Sequence, residues 1–268
     1  SALIADGQFD FVNFTGSVGG GRAMEQAAAG TFTGVGTELG GKDPGYVMED
    51  ADLEAAVATL VDAAMYNSGQ CCCGIERIYV HASLYDSFVE RAVATVADYR
   101  LGNPLDQETT MGPMAHVRFA ETVRQQTAAA IAAGATPHIA KMDADDGGAY
   151  VTPQLLTDVT HAMEVMREES FGPVVGVMKV SGDDEAVALM NDSRYGLTAS
   201  LWTPDLDRAA RLGDRIETGT VFLNRADYLD PGLCWTGVKD TGRGGGLSVI
   251  GYHNLTRPKS YHLKKVTS

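Results

Sequence analysis

The stretch PVVGVMKVSGDDEAVALMNDSRYGLTASLWTPDLDRAARLGDRIETGTVFL, residues 173–223, decides the fold class. Residues 173–180 read as a strand, 183–191 as a helix, 197–202 as a strand, 205–216 as a helix and 220–223 as a strand. Strand and helix in turn with short connections argue for an α/β layer fold with a largely parallel sheet. The same alternation runs upstream. Residues 52–66 carry Leu53, Val57, Leu60 and Val61 at the spacing of one helix face, 77–80 are a short β-rich run, and 84–99 are helical again. A long irregular stretch, 101–114, leads to an Ala-rich helix that Gly134 ends, followed by a short strand near His138 and a polar turn at Asp145-Asp146-Gly147-Gly148.

The two ends read differently. Residues 9–14 form a strand-like run entering Thr15-Gly16-Ser17-Val18-Gly19-Gly20-Gly21-Arg22 and an Ala-rich helix, as in the closing unit of a nucleotide-binding sheet whose earlier strands are not in the chain. Residues 243–268 are Gly-rich, then basic and strand-like at 260–266, as in a tail that lies on another domain or subunit. The first residues show no basic segment followed by an apolar one, so no secretory signal is read, and the start at Ser1 points to a processed or cut product.

With 268 residues, the chain is about 1.8 times a ~150-residue domain, enough for one large or two modest domains. Hydrophobic residues at 44%, charged residues at 21% and 31 glycines exclude collagen-like, disordered and disulfide-scaffold classes. A net charge of −14 repels phosphate backbones and acidic leaflets, so neither nucleic acid nor a membrane is expected as a partner. Cys71, Cys72 and Cys73 are consecutive and Cys234 is distant. Neighbouring residues do not form an unstrained disulfide, and the Cys-x-x-Cys spacing of zinc sites is missing. Neither a disulfide framework nor a metal is therefore expected, and a reducing, cytoplasmic compartment fits.

Four segments offer chemistry, each with a plainer explanation beside it. Gly16 and Ser17, followed by Gly19, Gly20 and Gly21, could meet a pyrophosphate at a helix N-terminus, or simply form a strand-to-helix turn. Glu38-Leu39-Gly40-Gly41-Lys42 places a carboxylate before two glycines, suited to a general base in a tight turn, or to a solvated surface Glu. Gly69-Gln70-Cys71-Cys72-Cys73 can present a thiol at a loop lined by backbone donors, although free cysteines are more often small buried hydrophobes. If that loop is locally extended, Cys71 and Cys73 point away from Cys72. Glu168-Glu169-Ser170-Phe171-Gly172-Pro173 joins a helical piece to a strand, and reads equally as a capped turn with a solvated acidic pair.

Together with Phe14-Thr15-Gly16-Ser17, Asn191-Asp192-Ser193-Arg194-Tyr195-Gly196-Leu197 and Gly219-Thr220-Val221-Phe222-Leu223-Asn224, these blocks resemble, in this order, the NAD(P)-dependent aldehyde dehydrogenase superfamily. The resemblance runs through essentially the whole chain, and the Glu38 and Cys72 blocks stand at that family's separation. It implies Cys72 as nucleophile and Glu38 as general base. It also implies Glu169 and Phe171 at the nicotinamide ribose, Gly16, Ser17 and Gly21 at the pyrophosphate, and NAD or NADP as cofactor. The implied reaction takes an aldehyde to a carboxylic acid through a cysteine thiohemiacetal and thioester.

Family members are roughly twice this length, so the resemblance implies a truncated catalytic part. Residues 1–39 would be a remnant of the Rossmann-like cofactor domain, 40–242 the catalytic domain and 243–268 a tail used for oligomerisation, as a dimer or tetramer. Substrate specificity would lie in 101–114 and 227–235. Two other readings stand beside this one. An inert fragment or pseudoenzyme serving oligomerisation needs neither Cys72 nor Glu38, and thioester transfer to coenzyme A or phosphate commonly dispenses with the base.

Overall fold

The computed structural model describes residues 1–266, so the last two residues of the 243–268 tail lie outside the described residues. The chain enters through a short helix, α1 (Ala2–Ala5), and strand β1 (Phe11–Thr15). The Ser17 hydroxyl then accepts the Gly20 N–H at 3.2 Å and starts helix α2 (Val18–Ala28), satisfying one of the N–H groups a helix start leaves unpaired. Strand β2 (Gly34–Glu38) lies parallel to β1, with Thr15 opposite Glu38. Residues 39–42 connect this small sheet to strand β3 (Asp43–Val47) of a larger one.

The larger sheet follows the expected alternation. Helix α3 (Leu53–Met65), capped by Asp52 through the Ala55 N–H at 3.1 Å, leads to β4 (Ile75–His81), α4 (Tyr85–Ala97) and α5 (Val117–Ala132). A two-residue strand β5 (Thr136–Pro137) and β6 (Gln154–Thr157) precede β7 (Val174–Val180), α6 (Asp183–Asn191), β8 (Thr198–Trp202), α7 (Leu206–Gly213) and β9 (Thr220–Leu223). The seven strands stand in the order β5-β6-β7-β4-β3-β8-β9. Every neighbouring pair is parallel except β5 with β6. The chain then returns to the small sheet, where β10 (Gly242–Arg243) pairs antiparallel with β2, and helix α8 (Ser248–Asn254) follows.

Strand periodicity sorts the core onto two faces. Val47, Ile78, Val80, Val177 and Trp202 pack with α3 and α4, while Tyr46, Tyr79 and Leu201 pack with α6 and α7. Adjacent residues of one strand point to opposite faces, and a sheet covered on both sides needs both apolar. The fold is therefore mixed α/β with a mostly parallel sheet between helices.

Three expectations need correction. Glu38 does not sit in a tight turn but ends β2, and the chain re-enters a strand at Asp43. Gly45 lies inside that strand, β3, where a Cβ would stand 2.7 Å from Leu60 of α3. The loop at the cysteines is not extended, since Gly74 N–H donates to the Cys71 carbonyl at 3.1 Å and closes a turn. Residues 260–266 form no strand, and Tyr261, Leu263 and Val266 are exposed. A strand-like run has no ladder to join without a neighbouring strand. No helix among the described residues is long and apolar enough to cross a membrane.

Candidate active site

The sequence blocks converge where the C-terminal ends of β1 and β2 face the N-terminal ends of β3, β4 and β7. Gly16 N–H donates to the Glu38 carbonyl at 3.1 Å, which ties the turn before α2 to the end of β2. The cysteines immediately precede β4, and 168–173 immediately precede β7.

The cysteine segment is held by its own unusual backbone. After α3, Asn67, Ser68 and Gly69 are consecutive left-handed residues (φ 52°, 57° and 71°), a conformation that costs free energy at a residue with a side chain. Surrounding bonds hold it: Ser68 Oγ donates to the Gly112 carbonyl at 2.8 Å, Asn67 and Gln70 exchange side-chain bonds to each other's carbonyls, and Gln70 Oε1 accepts the Ala115 N–H at 2.7 Å. A Cβ on Gly69 would fall onto the Gly172 carbonyl, so this loop and the segment before β7 touch through backbone. Gly41 likewise backs onto Cys72, whose carbonyl lies 2.7 Å from where a Gly41 Cβ would stand. Cys72 is half-buried, and the thiols on either side of it turn to Asp227: Cys73 Sγ donates to Asp227 Oδ1 at 2.8 Å and Cys71 Sγ lies 3.4 Å from the same carboxylate.

Glu169 sits over the glycine pair. It accepts the Gly41 N–H at 3.0 Å, and a Cβ on Gly40 would collide with its carboxylate. Burial, reinforced by the nearby Glu76 carboxylate, pushes its acid up to about 7, against the Gly41 bond and Lys42. Phe171, at φ 48°, is 37% exposed.

Beneath them lies a buried ionic cluster. Lys42 pairs with Glu76 and donates to Ser170 Oγ at 3.1 Å, while Glu76 accepts the backbone N–H groups of Ser170 (2.8 Å) and Phe171 (3.0 Å). Burial pushes the Lys42 ammonium down and the Asp43 carboxyl well up, the latter despite two bonds from Thr198.

Glu38 is half-buried; desolvation raises its carboxyl, partly offset by the Trp235 indole beside it. Its Oε1 lies 3.3 Å from the Cβ position of Gly246, in a segment that pairs with Trp235. Glu38 and Cys72 make no direct hydrogen bond among the described residues; Gly41, three residues past Glu38, makes the contact with the thiol loop. Near α2 the glycines have packing reasons. Cβ atoms on Gly16 and Gly20 would meet the Phe14 ring, and one on Gly21 would meet Leu39, whereas Gly19 faces open space.

The model of the Aldehyde dehydrogenase family matches residues 1–261. The chain belongs to the aldehyde dehydrogenase family. It is 38% identical over 258 residues to an aldehyde dehydrogenase of Paenarthrobacter nicotinovorans, covering 96% of this chain and 56% of that protein. A 3,6-anhydro-L-galactose dehydrogenase solved in complex with NAP superposes with a TM-score of 0.90 at 34% identity, over 94% of this chain and 54% of the other. A betaine aldehyde dehydrogenase from Staphylococcus aureus, solved with NAD+, gives a TM-score of 0.87 at 32% identity, over 93% and 50%. The chain spans about half the length of the relatives it matches.

Within this member of the family, Glu76, Trp235 and Asp227 enter the site without a sequence signal that marks them. Glu76 sits in a strand, and Asp227 and Trp235 lie in a stretch read only as a specificity loop. Lys42 and Ser170, by contrast, lie inside the two blocks that the sequence singled out.

Proposed function

We propose that this chain carries the catalytic residues of NAD(P)+-dependent aldehyde oxidation, with Cys72 as nucleophile and Glu38 as general base. The observation that carries this reading is the convergence of separate loops on one thiol: Gly41 backs onto Cys72, and Gly69 locks the same loop to Gly172. A thiol held so, with a desolvated carboxylate three residues from its backing glycine, suits addition to a carbonyl followed by hydrolysis.

The residues present fit a dinucleotide. The α2 N-terminus offers the Val18 and Gly19 N–H groups, without a partner among the described residues, beside Gly16 and Ser17; Gly19 leaves open space there, and Gly21 lets the helix seat against Leu39. Glu169 and the exposed Phe171 suit the nicotinamide ribose. When bound, the nicotinamide supplies the hydride acceptor. The Cys72 thiolate adds to the aldehyde carbon, and loss of hydride from that carbon leaves a thioester on Cys72. Water then attacks the thioester carbonyl while Glu38 takes its proton, and the acid leaves as Cys72 returns to thiolate. Partial burial raises the Glu38 carboxyl, the direction a base for that step needs.

In this reading residues 1–39 are the remnant of the cofactor-binding unit, 40–242 the catalytic unit and 243–268 a tail that returns to the cofactor side and pairs with a second copy. Adjacent thiols that must stay reduced suit the cytoplasm.

The test is ester hydrolysis, which needs no cofactor. With 4-nitrophenyl acetate, Glu38→Gln is expected to keep the acylation burst and slow the steady phase about 10²-fold or more, because only deacylation needs a base. Iodoacetamide at neutral pH should label Cys72 ahead of Cys71, Cys73 and Cys234. Equal loss of both phases, or labelling led by Cys234, would refute these roles.

A further inference from the structure

Beside Cys72 the fold assembles three donors that aldehyde oxidation does not use. Cys71 Sγ and Cys73 Sγ lie 3.7 Å apart, Cys71 Sγ is 3.4 Å from both carboxylate oxygens of Asp227, and Cys73 Sγ donates to Asp227 Oδ1 at 2.8 Å. All three donor atoms fall within 4.8 Å of one another. We propose that Cys71, Cys73 and Asp227 form a binding site for a soft divalent cation of the zinc and cadmium class.

The spacing argues for it. Two sulfurs each ~2.3 Å from a tetrahedral zinc lie about 3.8 Å apart, and a sulfur and a carboxylate oxygen at ~2.3 and ~2.0 Å lie about 3.5 Å apart. The Cys71–Cys73 and Cys71–Asp227 separations already match these edges. Only the Cys73–Asp227 edge must open, by about 0.7 Å on the same geometry, as the cation replaces the proton shared there.

The donors are also held in place. Asp227 has a left-handed backbone (φ 47°) in a loop clamped by Ser200 Oγ on the Arg225 carbonyl (2.7 Å) and by a pair of Asn224–Thr203 bonds (3.1 and 2.9 Å). Cys73 is buried, while Cys71 and Asp227 are half-exposed, which leaves an entry path. Binding releases the protons of Cys71 and Cys73 to solvent, leaving two thiolates, one carboxylate and a fourth position for water. Sequence spacing alone hides the site, because it joins a Cys-x-Cys pair to a carboxylate 154 residues from Cys73. Thiolate-rich donor sets favour soft cations over magnesium or calcium.

The test is titration of the chelator-treated full chain with cadmium, read by thiolate-to-cadmium charge-transfer absorption and by zinc competition, with circular dichroism confirming that each variant folds. One equivalent is expected to bind to the wild type, and equally to Cys72→Ala and Cys234→Ala. Cys71→Ala and Asp227→Asn, at partly exposed positions, are each expected to weaken binding tenfold or more, and magnesium should not compete. A band lost in Cys72→Ala but kept in Cys71→Ala would place the cation on Cys72 and overturn the proposal. So would unaltered affinity in both Cys71→Ala and Asp227→Asn, or no band in the wild type.

Discussion

Gly69 has two independent reasons to be glycine: a φ of 71° and a Cβ position only 2.2 Å from the Gly172 carbonyl. Gly69→Ala is therefore expected to destabilise the protein by about 1–3 kcal/mol through the left-handed backbone alone. Urea unfolding checks the midpoint, and an unchanged midpoint would show that the two loops separate freely. Glu169 makes a prediction about pH. Its carboxyl rises in the folded protein from the ordinary glutamate range to about 7. The native state therefore holds a proton that the unfolded chain has already lost between these values, and stability falls as pH rises across that window. The contribution is fully present below the unfolded value and gone above about 7. Urea midpoints from about pH 4 to about pH 8 should fall with pH, and Glu169→Gln should flatten the slope. Of these two residues, the sequence marked Glu169 by its motif. The clash at Gly69 depends on which backbone lies opposite, which no local pattern encodes.

At the scale of elements, β3, β4 and β7 are joined at their N-terminal ends by the Lys42–Glu76 pair and the two N–H groups that Glu76 accepts. Replacing Glu76 by Gln would leave a buried ammonium without its counter-charge, at a cost of about 3–5 kcal/mol. The paired replacement Lys42→Met with Glu76→Leu should restore a good part of that loss, since apolar substitutes for a buried pair are often neutral or stabilising. Chemical denaturation of the variants measures both, and a Glu76→Gln protein as stable as the parent would show the pair to be incidental. The elements themselves were largely legible. Helices α3, α4, α6 and α7 and strands β4, β7, β8 and β9 carry strong local periodicity and form close to where it places them. Strands β2, β3 and β6 went unread because glycines, Pro44 or short length mask the β signal, and burial between neighbours overrides it.

For the whole molecule, the tail carries the prediction about assembly. Tyr261 and Leu263, alternate residues that fall on one side of an extended chain, are 72% and 85% exposed, and apolar side chains left so are a surface for pairing with another strand. Light scattering is expected to report a dimer or larger assembly, with a chain ending at Thr256 shifted toward monomer. A full chain that stays monomeric at every concentration would refute tail pairing. The sequence by itself determined the α/β layer class, because periodicity and turn residues are local. It also singled out Cys72 and Glu38 as a pair, because two spaced blocks identify the family. Tertiary structure alone decided that Lys42 meets Glu76 and that Asp227 meets Cys71 and Cys73. Those partners stand 34 and more than 150 residues apart in the chain, and become neighbours only through the order in which parallel strands align.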